Sequence, residues 1–267
     1  MKSVHARKTS QSGQAMVESA ITLPLVVFLL LGTLQLFLML QARVLAQYAV
    51  FQATRAGSVG YGECERMTHA AILALLPSFH SFVGLSGGAA EVRHGGGAGA
   101  PARLAAAFAA RRGNRYRGGP LGAGPALDGV HTGSIVWIDR ALVGGGIDGP
   151  QDRDFDEPGH LRRLEVRLTY WYPMRIPFAN WVLSRMVMAQ FGIQDYTGAN
   201  PLQVAERNAN WRQGEFTDPF TLVGAIREEL RQRAARQQYV FPIETHFTMR
   251  MMTPAKARHF ATMECPR

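Results

Sequence analysis

Between Glu18 and Arg43 the chain carries no charged residue, and residues 20–40 of that window (AITLPLVVFLLLGTLQLFLML) are almost wholly apolar. At about 1.5 Å per residue, a helix of about 20 residues crosses a hydrocarbon core of about 30 Å, so this run predicts a transmembrane helix. That single feature places the two ends of the chain on opposite sides of a membrane. Lys2, Arg7 and Lys8 precede it without an acidic residue. The positive-inside tendency then puts the first dozen residues in the cytoplasm and everything after Arg43 outside. A removable signal peptide also begins basic and continues apolar. Its apolar region normally runs only about 7–15 residues before a small-residue exit, so the longer run here is read as an anchor.

Composition limits the alternatives. A mean hydropathy of −0.06 excludes several spans, since each would need its own apolar run. With 28 Gly and 14 Pro in 267 residues, and only 18% charged, the chain is not a coiled coil, a collagen or a compact helical bundle. Its 29 Lys+Arg against 20 Asp+Glu leave it basic. No nucleic-acid module accompanies that charge, and no nucleic-acid partner is expected.

The residues before the span read Ser10-Gln11-Ser12-Gly13-Gln14-Ala15-Met16-Val17-Glu18-Ser19-Ala20. A glycine after a basic leader, followed five residues later by a lone glutamate at the membrane edge, resembles the processing site of type IV prepilin-like proteins. The following Ile21-Thr22-Leu23-Pro24-Leu25, the apolar run, and the segment through Ala53-Thr54-Arg55-Ala56-Gly57 are similar to TadE-type pseudopilins of tight-adherence (Flp-type) pilus systems. The resemblance spans residues 13–57. Where that family more often has an aromatic residue after the glutamate, Ser19 stands here. The resemblance implies cleavage between Gly13 and Gln14 by a prepilin peptidase. It also implies an inner-membrane location in a bacterium, an ATPase-driven assembly platform, and other pilin or pseudopilin subunits as partners.

Physical chemistry gives Glu18 a role in such a system. Cleavage would create an α-amino group at Gln14, and the Glu18 carboxylate of a neighbouring subunit could meet it if the helices pack in register. Such a pair at 4 Å is worth about 1 kcal/mol in water and about 4 at an effective dielectric of 20, so partial burial makes it an assembly determinant. The alternative is a glutamate that only marks the interface, where it also suits a helix N-terminus. Glycine suits the cleavage position because an extended backbone without a Cβ enters a peptidase readily; a flexible leader is the alternative. Pro24 would remove a backbone bond and kink the helix unless neighbours compensate, and Gly32 would let a second helix approach closely.

Beyond the membrane, apolar residues at three- and four-residue spacing predict an amphipathic stalk to about Ala56, capped by Gly57, with Tyr48 and Phe51 packing against the outer part. A helix is predicted from Glu65 to Leu76, ending at Pro77, with a short one near Arg103–Arg112 and a strand at Ser134–Ile138. Residues 78–160 are otherwise loop-rich, with Gly95-Gly96-Gly97 and Gly144-Gly145-Gly146 among them. Alternation over residues 164–173 and 239–251 predicts two strands that pair antiparallel against the stalk, and residues 222–238 read as a charged surface helix. The expected fold class is α+β: a leader at 1–13, a transmembrane helix and stalk at 14–57, and an extracytoplasmic domain at 58–267 with a small antiparallel sheet and Gly-rich loops.

Cys64 and Cys265 are the two cysteines, both on the outer side, where oxidation lets them join; two separate buried thiols are the alternative. Catalytic patterns lack their context. Gly84-Leu85-Ser86-Gly87-Gly88 fits G-x-S-x-G without the strand and helix that a nucleophile elbow requires. The histidines have no metal-ligand spacing. Asp152, Asp154 and Asp156 alternate like a calcium loop, but Glu157 and Arg163 stand where Gly and Glu are needed, so they read as a solvated acidic turn with calcium as the alternative. Arg111, Arg112, Arg115 and Arg117 around Tyr116 read as a solvated loop. The resulting expectation is a non-enzymatic pilus-assembly subunit without a cofactor. A membrane-tethered ligand-binding protein with a plain anchor is the alternative from another class, and an anchored hydrolase at Ser86 a third.

Overall fold

The computed structural model describes residues 12–79, 100–116, 133–143, 162–190 and 224–267. One helix dominates. α1 (Ser12–Val59) has 48 residues, which corresponds to about 70 Å. It is one continuous element from the apolar run into the outer part, as its uninterrupted apolar and alanine-rich sequence favours. Phe28, Gln35, Ala42 and Ala49 recur every seven residues on it, and Ala46 and Ala53 lie on the same stripe. From Gln35 onward all of these are buried. The alanines let other elements approach the helix axis closely, so the second half of α1 is the spine of the outer core rather than an isolated stalk.

α1 ends in a glycine-rich turn. The Gly60 amide donates to the Ala56 carbonyl at 2.9 Å, and the Gly62 amide to the Gly57 carbonyl at 2.9 Å. Tyr61 and Gly62 have φ of 58° and 80°. This is a Schellman-type cap. The cap therefore falls at residues 60–62, and Gly57 lies inside the helix. A Cβ on Gly57 would stand 2.7 Å from both Leu164 Cδ2 and Met67 Sδ, so its role is close packing. The turn leads into α2 (Cys64–Phe79), which lays Met67, Ala71, Ile72, Leu75 and Leu76 into the core. α2 continues through Pro77, which sequence reading makes its end. Pro77 lacks an N–H to give Leu73, and the last turn is held instead by the Ser78 hydroxyl donating to the Leu75 carbonyl at 2.6 Å. α3 (Ala100–Arg111) sits beside α2, with Phe108 edge-on to His69 at 5.6 Å.

The sheet has three antiparallel strands in the order β1 (Val136–Val143), β2 (Arg163–Pro173), β3 (Val240–Arg250). The two long strands pair as their alternation predicts, with Leu168 opposite Thr245. The first strand begins later and runs longer than the expected Ser134–Ile138, with Ile138 opposite Leu168. On β2, Leu164, Val166, Leu168, Tyr170 and Tyr172 share one face, which packs on α1 and α2. Tyr170 shares a 2.7 Å hydrogen bond with Ser78, and Thr245 on β3 donates to the Ala46 carbonyl at 3.3 Å. Arg163, Glu165 and Arg167 on the other face leave one end solvated. Trp171 at the other end is covered, which is why burial stops alternating there.

The cover is α5 (Gly224–Ala235), preceded along the chain by α4 (Ala179–Gln190). α5 lies at the surface as its charges suggest, but it turns Ile226, Leu230 and Arg233 inward, where they are buried. Arg233 stacks on Trp171 at 4.6 Å, pairs with Glu229 at 2.7 Å and donates to the Ser134 carbonyl at 3.0 Å. After β3 the chain returns to the α1–α2 turn. The Met252 and Thr253 amides donate to the Ser58 carbonyl at 3.0 and 3.1 Å, and Phe260 sits where a Cβ on Gly62 would be. A 3-10 turn (Ala257–His259) precedes a tail that runs along β1, with Cys265 N–H donating to Ile138 O at 2.9 Å. This covers an edge of the sheet that would otherwise offer unpaired backbone groups. A disulfide joins Cys64 to Cys265, with Cα atoms 5.5 Å apart and 201 residues of separation.

Candidate membrane and assembly helix

The first half of α1 contrasts with the second. Leu23, Leu25, Leu29, Leu34 and Phe37 are exposed, and almost none of the most apolar window is buried. A soluble core helix would bury those side chains; this one is long and apolar enough to cross a membrane. The two threonine hydroxyls of this half are satisfied within the helix. Thr22 Oγ1 donates to the Glu18 carbonyl at 2.8 Å and Thr33 Oγ1 to the Leu30 carbonyl at 2.9 Å, which lowers the cost of placing them in lipid.

The residues singled out by sequence fall along this helix. Gly13 and Gln14 are in its first turn, and Glu18 lies one turn further on, its side chain exposed. Among the described residues its carboxylate takes no ion pair. Pro24 is inside the helix, which continues through it. The Ala20 carbonyl consequently lacks its usual i+4 donor. Among the described residues nothing lies within 4 Å of where a Cβ on Gly32 would be, so none of them fills the space that its missing side chain leaves.

Sequence reading passes over Gln35. It is completely buried, and its Oε1 accepts the Ile176 N–H at 3.0 Å. Phe28, seven residues earlier, meets Phe178 edge-on at 5.6 Å. The loop between β2 and α4 thus reaches one face of α1 inside the charge-free window. The signal was present in sequence: Gln35 is the one amide within residues 20–40. Of the two aromatics expected to pack outside, Phe51 does so, edge-on to Phe247 at 5.3 Å. Tyr48 stays exposed and hydrogen-bonds Gln52 at 2.6 Å, because it lies off the buried stripe.

The basic run after α3 is also corrected. Arg111 and Tyr116 are buried: Arg111 donates to the Tyr116 carbonyl and Tyr116 Oη to the Trp171 carbonyl. Only Arg112 and Arg115 are on the surface, Arg112 reaching Glu65 at 3.3 Å. Burial pushes the Tyr116 and Tyr170 phenols above their usual range, so both act as neutral hydrogen-bonding groups. Arg117, Ser86 and Asp152, Asp154 and Asp156 lie outside the described residues. Among the described residues no three His, Cys, Asp or Glu side chains converge on a possible metal site.

Residues 13–55 match the family described as TadE-like protein. That segment contains Gly13, Gln14, Glu18, the whole apolar run and most of the buried alanine stripe, and it ends just before the cap of α1. No curated protein and no solved structure matches the chain.

Proposed function

We propose that this chain is a non-enzymatic, single-pass, pseudopilin-like subunit acting in the assembly of a tight-adherence pilus or a related secretion apparatus. The observation that carries the reading is α1: a TadE-like segment in which an exposed apolar helix of membrane-crossing length begins with Gly13, Gln14 and an exposed Glu18. The leader of Lys2, Arg7 and Lys8 favours a cytoplasmic N-terminus and an outer unit on the far side, in the periplasm or beyond. A Cys64–Cys265 disulfide suits that oxidising side.

On this reading a prepilin peptidase removes the leader after Gly13. The new Gln14 amine and Glu18 then mediate packing between subunits of the inner membrane. Gly32 offers unfilled space for a neighbouring helix, and the assembly platform acts on the resulting array. The outer unit presents its surface to other pilins. Sequencing the N-terminus of protein extracted from membranes tests this directly. Gln14 as first residue supports the pseudopilin reading, whereas an intact Met1 or Lys2 makes α1 a plain anchor for an outer binding unit.

A further inference from the structure

β2 and α1 run side by side in opposite directions. Leu164, near the start of β2, reaches the position of Gly57, and Ile176, just past its end, is bonded to Gln35. The twelve residues between Leu164 and Ile176 extend about 35–40 Å as strand, and the 22 residues between Gln35 and Gly57 about 33 Å as helix, so the two lengths agree. The sheet therefore delivers the Met174–Phe178 loop and α4 to a level well inside the charge-free window. Phe28, against which Phe178 packs, is about 20 Å along the axis from Arg43.

This placement conflicts with a wholly aqueous outer unit. If α4 stood in water, the lipid-covered part of α1 on that side would end before Phe28. The charge-free stretch from Ser19 to Val27 would then supply only about 13 Å of a hydrocarbon core of about 30 Å. The composition of the segment resolves the conflict. Residues 174–190 contain no acidic side chain, and Arg175 and Arg185 are their two charges. Both arginines are exposed, as are Phe178, Trp181 and Met186. Exposed apolar side chains with no acidic neighbour suit the hydrocarbon side of a leaflet, from which a long arginine side chain can snorkel toward phosphate.

We propose that α4, with Phe178, is a second membrane contact that seats in the outer leaflet of the bilayer crossed by α1. The proposal rests on the single-span reading of α1. The lipid-facing group is the Phe178–Trp181–Met186 surface, with Phe178 near the middle of the hydrocarbon core, and the long Arg175 and Arg185 side chains extend toward the phosphates. One face of α1 between Phe28 and Ala42 is then occupied by the chain's own outer unit, leaving its other faces for neighbouring subunits.

Position-specific quenching in vesicles of phosphatidylethanolamine and phosphatidylglycerol distinguishes the two claims. Since Cys64 and Cys265 are joined, a single added cysteine takes one fluorescent probe in the full chain. Met186→Cys reports on α4, and Leu29→Cys on the span. Met252→Cys, at an equally apolar exposed position bonded beside Ser58, reports on the distal end. The expected result is blue-shifted emission and nitroxide-lipid quenching at Met186→Cys and Leu29→Cys, with neither at Met252→Cys. Trp181→Cys repeats the α4 reading independently, should one variant fail to fold. Quenching at Leu29→Cys but at neither α4 position overturns the α4 contact and leaves the single span intact. Protection of the α4 probes from aqueous iodide without lipid quenching marks a protein occupant and overturns it equally. Quenching at Met252→Cys as strong as at Met186→Cys also overturns it, because the lipid contact would not be specific to α4. Absence of quenching at Leu29→Cys removes the span and the α4 contact together.

Discussion

Asp139 shows how a residue reads differently once its neighbours are known. In sequence it is an acidic residue just past the expected strand at Ser134–Ile138; in the fold it is half-buried on β1, bridged by backbone to Glu264 of the tail. Burial first, and the Glu264 carboxylate second, raise its pKa above the ordinary 3.8, while Arg267 and Arg167 pull it down. The folded chain thus holds this proton more tightly than the unfolded chain. The stabilisation that gives is present while Asp139 is protonated and is lost as pH rises from 3.8 through the raised folded value, leaving an ionised group that disfavours folding at neutral pH. Asp139→Asn should therefore melt higher than the parent at pH 7, with the two curves converging in acid. A lower melting temperature for the variant at pH 7 would mean that Arg167 and Arg267 outweigh desolvation. The Cys64–Cys265 pair was legible from count and compartment alone. Arg111 and Tyr116 were not, since a short basic run looks the same solvated or buried. What decides it is the Trp171 carbonyl, 55 residues further on.

At the level of elements, an uninterrupted apolar run located the first half of α1, and periodicity its second half, β2 and β3, because each of these has one long buried face that repeats at 3.6 or 2 residues. Periodicity did not reveal the buried residues of α5. Three buried residues out of twelve leave a sequence dominated by charge, and one of the three is itself an arginine. Burial lowers the Arg233 pKa, and Glu229 opposes that by hydrogen bond and charge, so the guanidinium stays paired over Trp171. Arg233→Ala should cost about 3 kcal/mol, as it strips Glu229 of its partner and empties the volume over the indole. Chemical denaturation of the full chain in detergent measures this. A loss under about 0.5 kcal/mol would show that α5 is held by Ile226 and Leu230 alone. Sequence also ended α1 too early, because Gly57 resembles a cap. Only the closeness of Leu164 and Met67 shows that the glycine is there for packing.

Among the described residues, a three-stranded sheet packs along the second half of the long helix, four shorter helices surround them, and the tail returns to the head of α2. The disulfide fastens that return. Its loop of 201 residues should, on the chain-entropy model, constrain the unfolded chain by about 5 kcal/mol. Reduction, or the double variant Cys64→Ser with Cys265→Ser, is expected to lower the urea midpoint substantially, and an unchanged midpoint would show that the tail is held by its backbone bonds to β1 and α1. The division of α1 into an exposed apolar half and a buried alanine half was visible in sequence. Packing of the sheet against the stalk was expected too, but its reach into the charge-free window was not, because that depends on strand direction and on one amide, Gln35. Assembly through the head of this helix is the claim on which the functional account depends. It is tested by cross-linking between subunits in native membranes, comparing the parent with Glu18→Gln, which removes the charge and keeps the shape. The account predicts that cross-linked dimer falls about five-fold or more, the effect of losing about 1 kcal/mol or more of ion-pair energy. Undiminished cross-linking and filament formation by Glu18→Gln would contradict it.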